Sequence, residues 1–264
     1  MSPTFFLLTD FGLQDPYVGQ MKAVLWSRMP QAKVLDLSHG VRPHNVLQAA
    51  FFLDSSWPYL PPGSTGLGVV DPGVGTERSI LLCQEGGKSV LTPDNGLLGL
   101  LLESRPECRL WRMQPPTPER EISSTFHGRD VFAPLACGLA QGIDPDQLGT
   151  EIAGNECFQL PLTRRPKREG SRIHAVVTHV DHFGNCVLNL PAAEWSESIL
   201  ACQHLSVHHP RQETVYPVST YARLAKNQLG ILIGSQGYLE LACNQDSCAR
   251  NLGLDIGDVF SFRL

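Results

Sequence analysis

The 264-residue chain lacks the sequence features of several large protein classes. No apolar run approaches the roughly 20 residues of a membrane-spanning helix, and the first run, residues 5–8, is too short for a secretion signal. No Gly-x-Gly-x-x-Gly follows the first predicted strand and no Gly-x-x-x-x-Gly-Lys occurs, so the usual nucleotide-binding loops are missing. The 21 Lys+Arg and 26 Asp+Glu give no basic excess. We therefore expect a soluble, cytoplasmic protein without a membrane or nucleic-acid partner.

A Cys-x-x-Cys pair is also lacking, although the chain has eight cysteines. Most of them lie in apolar segments, which is typical of buried free thiols in a reducing compartment and not of a disulfide framework. His208-His209 and the pair Cys243 and Cys248 have no partner pair at the spacing of a zinc site. The sequence therefore predicts no metal site.

What the sequence does contain is an alternation of strand and helix patterns over its first two thirds. The predicted strands are residues 5–9, 34–37, 66–70, 80–83, 90–92 and 108–111, and the predicted helices are residues 17–29, 45–55, a short one after 93–96, and 129–139. Strands that alternate with helices indicate a doubly wound, largely parallel α/β sheet. We assign this N-terminal α/β domain to residues 1–163.

A charged, proline-broken stretch around residues 163–170 separates this part from the rest. Beyond it come short strand patterns at residues 173–180, 186–190, 204–207, 214–218, 230–233, 238–242 and 259–263, with no convincing long helix among them. This arrangement predicts a smaller antiparallel β domain, barrel-like, over residues 171–264.

The strongest candidate for a site is the end of the predicted strand 66–70. Asp71 follows this apolar run, and Pro72 with Gly73 and Gly75 forms a stiff turn that returns to Arg78. Ligands bind at the carboxyl ends of strands in open α/β sheets, so the turn can hold a carboxylate and a guanidinium in one small volume. The alternative is a solvated loop with a surface ion pair, which contributes little energy.

Two further candidates have simple structural alternatives. Asp10 follows the first strand beside Gly12, where a carboxylate either binds a ligand or caps the turn into the next helix. His127 precedes a predicted helix, and an isolated histidine there is more often a capping or packing residue than a catalyst. Together, however, Asp71, Arg78 and His127 are a set that can activate water, since a carboxylate and an imidazole accept or orient protons and a guanidinium stabilises hydroxide character.

Seven runs in order along the chain closely resemble the S-adenosylmethionine hydroxide adenosyltransferases, the adenosine-forming hydrolase relatives of the fluorinating and chlorinating enzymes. These runs are residues 9–12, 17–22, 70–76 with Arg78, 93–98, 126–134, 181–185 and 234–240. The resemblance extends over nearly the whole chain, from residue 9 to about residue 254, and is far more specific than any single motif.

The resemblance implies a role for each matching residue. The water-activating residues of the family fall on Asp71, Arg78 and His127. The substrate-binding positions are Asp10 for the ribose, Asp181 and Asn185 for methionine and adenine, Tyr221 for stacking on the base, and Ser235 and Glu240 of the last motif, with Asp15 as a further position near the methionine portion. It also implies homotrimers in which the first domain of one subunit and the second domain of its neighbour form each site.

The implied reaction is displacement at the ribose 5′ carbon of S-adenosyl-L-methionine by water or hydroxide, which gives adenosine and L-methionine without a metal or organic cofactor. The halogenating relatives lack the Asp/Arg/His set, and the fluorinating type has tyrosine where Asp71 stands, serine where Gly128 stands and tryptophan where His44 stands. Two alternatives stay open: a halogenase that uses chloride or fluoride, and a non-catalytic protein that binds adenosine or S-adenosylmethionine.

Overall fold

The computed structural model describes residues 2–115, 121–159, 166–209 and 211–264. The chain divides into two compact units, Met1–Leu160 and Pro161–Leu264. The first part of the charged stretch that we placed between the domains, residues 163–165, lies outside the described residues. Its continuation forms a short strand, Lys167–Glu169, that pairs within the second unit.

The first unit contains a seven-stranded sheet in the order β2-β1-β3-β5-β4-β6-β7. Its strands are β1 (Thr4–Thr9), β2 (Lys33–Ser38), β3 (Ser64–Val69), β4 (Ile80–Glu85), β5 (Lys88–Pro93), β6 (Arg109–Met113) and β7 (Gly149–Ile152). Its helices are α1 (Tyr17–Arg28), α2 (Val46–Ser56), α3 (Gly99–Ser104), α4 (Ala133–Ala140) and α5 (Pro145–Leu148), with a π-helical turn at Gly128–Phe132 directly before α4.

Helices cover both faces of this sheet, as the hydrophobic pattern of β1 requires. Phe5 and Leu7 point into a core shared with α1 and α4, whereas Phe6 and Leu8 point into a second core shared with α2 and α3. A strand that is buried on both faces needs a continuous apolar run, and residues 5–8 provide one. The predicted doubly wound α/β fold is confirmed.

Only part of the sheet is parallel. The pairs β2–β1, β1–β3 and β3–β5 are parallel, but β4 is antiparallel to β5 and to β6, and β7 is antiparallel to β6. Gly86 and Gly87 separate β4 from β5 and have φ angles of 57° and 74°. Two successive residues with positive φ form a tight hairpin turn, which sends β5 back along β4.

The second unit is a closed β-barrel of seven strands. The ring runs β10-β14-β13-β12-β11-β15-β9, and an additional β10–β9 pairing closes it, while β8 (Lys167–Glu169) pairs with β9 outside the ring. Its strands are β9 (Arg172–Val180), β10 (Cys186–Pro191), β11 (Leu205–His209), β12 (Arg211–Pro217), β13 (Leu229–Ile233), β14 (Tyr238–Cys243) and β15 (Val259–Arg263). All neighbours in the ring are antiparallel except β12 and β13. The predicted barrel-like domain is confirmed.

The second unit also contains helices that the strand patterns did not predict. The helix α6 (Ala192–Leu200) follows β10, and α7 (Cys248–Leu252) follows β14. Ala192 and Ile199 of α6 are buried, and α6 packs beside β10, β13 and β14. Pro191 immediately before two alanines and Glu194 in the first turn are start signals for this helix.

Among the described residues, no helix has both the length and the apolar character that crossing a lipid bilayer would require. The eight cysteines are free thiols, and all but Cys108 and Cys202 are buried. Burial raises the pKa of the Cys137 thiol to about 11, which keeps that group protonated.

Candidate functional site

Asp71 and Arg78 form a close ion pair at the carboxyl end of β3. The Arg78 Nε donates to both carboxylate oxygens, at 2.9 Å to Oδ1 and 2.8 Å to Oδ2, and Nη2 also donates to Oδ2. Only 5% of the Asp71 side chain and 10% of the Arg78 side chain are exposed. A fork of this kind is the strong geometry for an arginine and a carboxylate. The pair is therefore not the solvated surface pair considered as the alternative.

The turn between these two residues is held by short-range bonds and close packing. The amide of Val74 donates to the carbonyl of Asp71 at 3.3 Å, and the Thr76 hydroxyl donates to the carbonyl of Gly73 at 2.7 Å. Gly75 has φ +79°, and a Cβ at this position would lie 2.5 Å from the carbonyl oxygen of Ser124. Only glycine meets both conditions without strain, so the turn has little freedom to vary.

His127 completes the arrangement from the residue before the π-helical turn. Its Nδ1 lies 3.0 Å from Arg78 Nη2. Burial, together with the positive charge of Arg78, lowers the pKa of His127 below its ordinary value of 6.5, although Asp71 opposes this. Because Arg78 has only donors, Nδ1 must accept and the proton of the neutral ring lies on Nε2. His127 thus presents an N–H to whatever faces that nitrogen.

The aromatic ring of Phe132 lies under the ion pair. Its centroid is 5.7 Å from the Arg78 guanidinium carbon, and Phe132 is fully buried. On another side, Arg78 and His127 line a cavity of about 680 Å³ together with residues such as Ile80, Met113 and Val131. The guanidinium is therefore fixed by an apolar wall and a carboxylate, while a cavity reaches it and the imidazole.

Asp10 leaves the sheet beside Asp71. Thr9 at the end of β1 pairs with Val69 at the end of β3, so the two carboxylates follow neighbouring strand tips. Asp10 Oδ2 accepts a 2.8 Å bond from the amide of His44, and its side chain is 8% exposed. Asp10 does not cap α1, which begins after Pro16 without a side-chain cap.

An aromatic cluster that the sequence interpretation missed ties Asp10 to His127. Phe11, directly after Asp10, and Phe126, directly before His127, have ring centroids 5.8 Å apart, and Tyr17 lies 5.8 Å from the first and 5.1 Å from the second. All three rings fall inside the quoted family runs, which was the available signal. The first unit thus brings Asp10, Asp71, Arg78 and His127 to one end of its sheet, whereas the predicted position Asp15 is exposed on the following loop.

The second unit gathers another set of predicted residues at the loop before β10. Asp181 Oδ1 accepts from the amides of Phe183 and Asn185 at 2.9 and 2.8 Å, and its Oδ2 accepts from Asn185 Nδ2 at 2.9 Å. Gly184 has φ +85° and packs against Ser247 so closely that a Cβ would overlap the Ser247 side chain. The loop is rigid, and it presents an asparagine whose amide orientation Asp181 fixes.

Tyr221 and Glu240 form the second pair of this set. The Tyr221 hydroxyl donates to Glu240 Oε1. Burial and the charge of Asp181 raise the pKa of Glu240, although the Tyr221 bond opposes this, and burial with the neighbouring carboxylate also raises the pKa of Tyr221. Gly234 leaves room for the carboxyl group, since a Cβ there would lie 2.5 Å from Glu240 Oε2. Ser235, next in the chain, is exposed.

The described residues contain no group of three or more histidine, cysteine, aspartate or glutamate side chains that could hold a metal ion. The absence of a cofactor stays a prediction. The roles of the individual site residues also stay predictions, although the structure groups them as two clusters, one in each unit.

The chain thus combines an α/β unit that carries a carboxylate, an arginine and a histidine at one end of its sheet with a seven-stranded barrel that carries a polar loop cluster. Residues 5–149 match the N-terminal domain, and residues 175–261 the C-terminal domain, of the SAM hydroxide adenosyltransferases. The chain belongs to this family.

Individual relatives agree with this assignment. The chain is 36% identical to the (R)-S-adenosyl-L-methionine hydrolase of Thermus thermophilus, over 97% of this chain and 98% of the relative. A fluorinase of an Actinoplanes species is more distant, at 24% identity over 97% and 96% of the two chains. A crystal structure of an uncharacterized conserved protein from Thermotoga maritima superposes with a TM-score of 0.88 and 29% identity, over 99% of this chain and all of that one.

Proposed function

We propose that this protein hydrolyses S-adenosyl-L-methionine to adenosine and L-methionine by attack of water or hydroxide on the ribose 5′ carbon. The observation that carries the proposal is the buried Asp71–Arg78 ion pair at the end of β3, with the imidazole of His127 bonded to the same guanidinium. The relatives named (R)-S-adenosyl-L-methionine hydrolase, at 31–36% identity over nearly their whole length, support the same substrate and reaction.

We assign a separate task to each member of this set, and the hydrogen bonds support the assignment. The three bonds from Arg78 occupy one side of the Asp71 carboxylate, so the remaining lone pairs of the carboxylate accept a hydrogen bond from water. His127 has its Nδ1 engaged by Arg78 and donates from Nε2, which orients the water oxygen. The positive charge of Arg78 stabilises the hydroxide character that develops as the water loses its proton.

The chemistry balances without a cofactor. An oxygen–carbon bond forms at C5′ while the C5′–sulfur bond breaks, and its electron pair stays on sulfur, so the sulfonium becomes neutral methionine thioether. The leaving group needs no proton, and the proton released by water passes to Asp71 and then to solvent. Positioning of the two reactants in line in a site that excludes bulk water supplies much of the acceleration.

The Asp71 carboxylate favours water over a halide as the nucleophile. A chloride or fluoride ion would have to approach a buried negative charge, whereas water can donate a hydrogen bond to it. The greater distance to the fluorinase, 24% against 36% identity for the hydrolase, supports the same choice.

For the substrate, we propose that Asp10 binds the ribose hydroxyls, that Asp181 and Asn185 hold methionine and adenine, and that Tyr221 stacks on the base. Ser235 and Glu240 complete this second set. Since the two sets belong to different units, we propose a homotrimer in which neighbouring subunits contribute one set each. The free thiols support a cytoplasmic location.

The test is to incubate the purified protein with S-adenosyl-L-methionine and to identify the products by chromatography and mass spectrometry, with and without chloride or fluoride. We expect adenosine and methionine in equal amounts, unchanged by halide. A 5′-chloro- or 5′-fluoro-5′-deoxyadenosine product would assign the protein to the halogenases. Tight binding of adenosine without turnover would make it a binding protein.

A further inference from the structure

His39 lies beside Thr9 at the carboxyl end of the sheet. The strands β1 and β2 are parallel neighbours, and Leu8 pairs with Ser38, so the next residues along both strands leave the sheet together. Thr9 is fully buried and His39 is 6% exposed. An imidazole with so little solvent contact needs protein partners for both ring nitrogens.

Both nitrogens have such partners, and together the bonds form a continuous chain. Thr9 Oγ1 lies 2.8 Å from His39 Nδ1, and His39 Nε2 lies 3.1 Å from Asp36 Oδ1. Thr9 Oγ1 also accepts a 3.3 Å bond from the amide of Phe11. With its oxygen accepting from Phe11, the Thr9 hydroxyl donates to Nδ1, and the neutral ring then donates from Nε2 to Asp36.

This series of hydrogen bonds holds the turn on which Asp10 lies. On one side of Asp10, the Thr9 hydroxyl is bonded to the His39 ring, and on the other, the amide of Gly12 donates to the carbonyl of His39 at 2.9 Å. Gly12 has φ +65°, which suits this tight return of the chain. One residue, His39, therefore fixes the backbone before and after Asp10.

At the other end of this series of hydrogen bonds, Asp36 keeps the His39 imidazole in one orientation. Asp36 Oδ2 accepts a 2.7 Å bond from Lys22 Nζ. Burial raises the pKa of Asp36, but the bonds from Lys22 and His39 outweigh it and leave that pKa below its ordinary value. A charged Asp36 holds the proton of His39 on Nε2, as a carboxylate does for the histidines of many enzyme sites.

We propose that His39 is a positioning residue that fixes the Asp10 carboxylate in the orientation needed to bind the ribose hydroxyls. This inference rests on the proposed function, in which Asp10 binds the ribose. Asp10 Oδ2 is engaged by the amide of His44, and among the described residues no protein donor is bonded to Oδ1. A carboxylate can accept bonds from both hydroxyls of a ribose only if its plane and position are fixed, because charge-assisted bonds depend on geometry.

The experiment measures how strongly the protein prefers adenosine to 2′,3′-dideoxyadenosine, by calorimetric titration of each nucleoside. This ratio of dissociation constants isolates the contribution of the ribose hydroxyls. We expect Thr9→Val, which removes the hydroxyl with little change of shape, and His39→Ala each to lower the ratio by about tenfold, the loss of one well-placed bond to a charged group. The KM for S-adenosyl-L-methionine should rise with kcat nearly unchanged, as for lost uniform binding.

Conservative variants and a matched control separate positioning from stability. Thr9→Ser keeps the hydroxyl and His39→Asn places an acceptor near Nδ1, so both should retain most of the preference. Thr65→Val is the control, because Thr65 is a buried strand threonine of the same sheet whose hydroxyl bonds to Ser89 at the other end of the strands. It should lower the melting temperature without changing the ratio.

Folded Thr9→Val and His39→Ala proteins that keep the wild-type preference would overturn the inference while leaving the proposed function standing. If His39→Ala does not fold, the comparison of Thr9→Val with Thr9→Ser decides alone. A wild-type protein that binds adenosine no better than the dideoxynucleoside would instead overturn the ribose role of Asp10, and the inference with it.

Discussion

The carboxylate of Asp71 is almost completely removed from solvent, and three hydrogen bonds join it to the Arg78 guanidinium. Removing one member of such a pair costs far more than the pair itself contributes to stability, because the partner is left charged and unpaired. At the same place His127 adds an imidazole whose Nδ1 lies 3.0 Å from Arg78 Nη2.

At this scale the first prediction concerns turnover. Asp71→Asn removes the proposed proton acceptor but keeps the shape of the side chain, and His127→Ala removes the proposed donor to the water. Each should lower kcat by roughly 10²-fold or more and leave adenosine affinity within about tenfold of wild type, since general-base and orienting contributions are typically of that size. Steady-state kinetics and calorimetry measure the two quantities, and full activity in both variants would remove the assignment.

The second prediction follows from the pKa of His127, which lies below 6.5 in the folded protein. A depressed folded pKa means that the unfolded chain binds the proton more readily. The associated stability is present above pH 6.5 and is lost as the pH falls through the folded value. Turnover should likewise be constant near neutrality. It should decline only as the pH falls through the folded pKa of His127, where the ring gains a second N–H.

The measurement for this second prediction is thermal unfolding of wild type and His127→Ala between about pH 5 and pH 8, the range in which histidine titrates. Groups other than His127 cancel in the difference between the two proteins. That difference should shift in favour of the variant as the pH falls. A difference that stays constant over the range would contradict the lowered pKa.

At the scale of elements, the site depends on turns that only glycine can form. Gly75→Ala should destabilise the protein by more than the roughly 1–2 kcal/mol that a left-handed conformation costs other residues, because its Cβ would also overlap the Ser124 carbonyl. Gly142→Ala is the matched control, with φ +89° but open space around the added carbon. Unfolding in urea measures both, and equal losses would show that the Ser124 contact has no effect.

The elements that the sequence predicted correctly are those whose signal is local. The apolar runs of β1 and β3 lead to Asp10 and Asp71, and in the structure β1 ends at Thr9 and β3 ends at Val69. The strand β4 is antiparallel to β5 because Gly86 and Gly87 form a hairpin turn between them. The sequence contains this turn signal, but we expected a largely parallel sheet. The helix α6 was missed because nine residues contain too few helical turns for a clear helical pattern between strands.

Side-chain partners were predictable where they lie close together in the sequence. Arg78 and Asp71 lie within one run, so their pairing followed from the turn between them. Thr9 and His39 are thirty residues apart and meet only because β1 and β2 are neighbours in register. Such a contact is a property of the strand order, which no local pattern of residues contains.

At the scale of the whole molecule, the proposed trimer places the two sets of site residues on different subunits. Asp71→Asn and Asn185→Ala should each have strongly reduced activity alone. Mixing equal amounts of the two variants should then restore activity at about a quarter of the subunit boundaries in rings formed at random. Mass spectrometry of tagged chains verifies that the subunits have exchanged, and the activity of the mixture then measures how much is restored.

The control for the mixing experiment combines Asp71→Asn with Arg78→Ala. Both changes affect the set in the first unit, so no boundary in the mixed ring gains an intact set and activity should stay absent. If the Asp71→Asn and Asn185→Ala mixture is as inactive as this control, the shared-site arrangement is wrong.

The central claim is that water is the nucleophile at the 5′ carbon of S-adenosyl-L-methionine. The most direct measurement is turnover in ¹⁸O-labelled water, with the products analysed by mass spectrometry. The account predicts that the label appears in the 5′ hydroxyl of adenosine, that methionine remains unlabelled, and that Asp71→Asn suppresses both products together. Adenosine without the label, or methionine formed without adenosine, would contradict it.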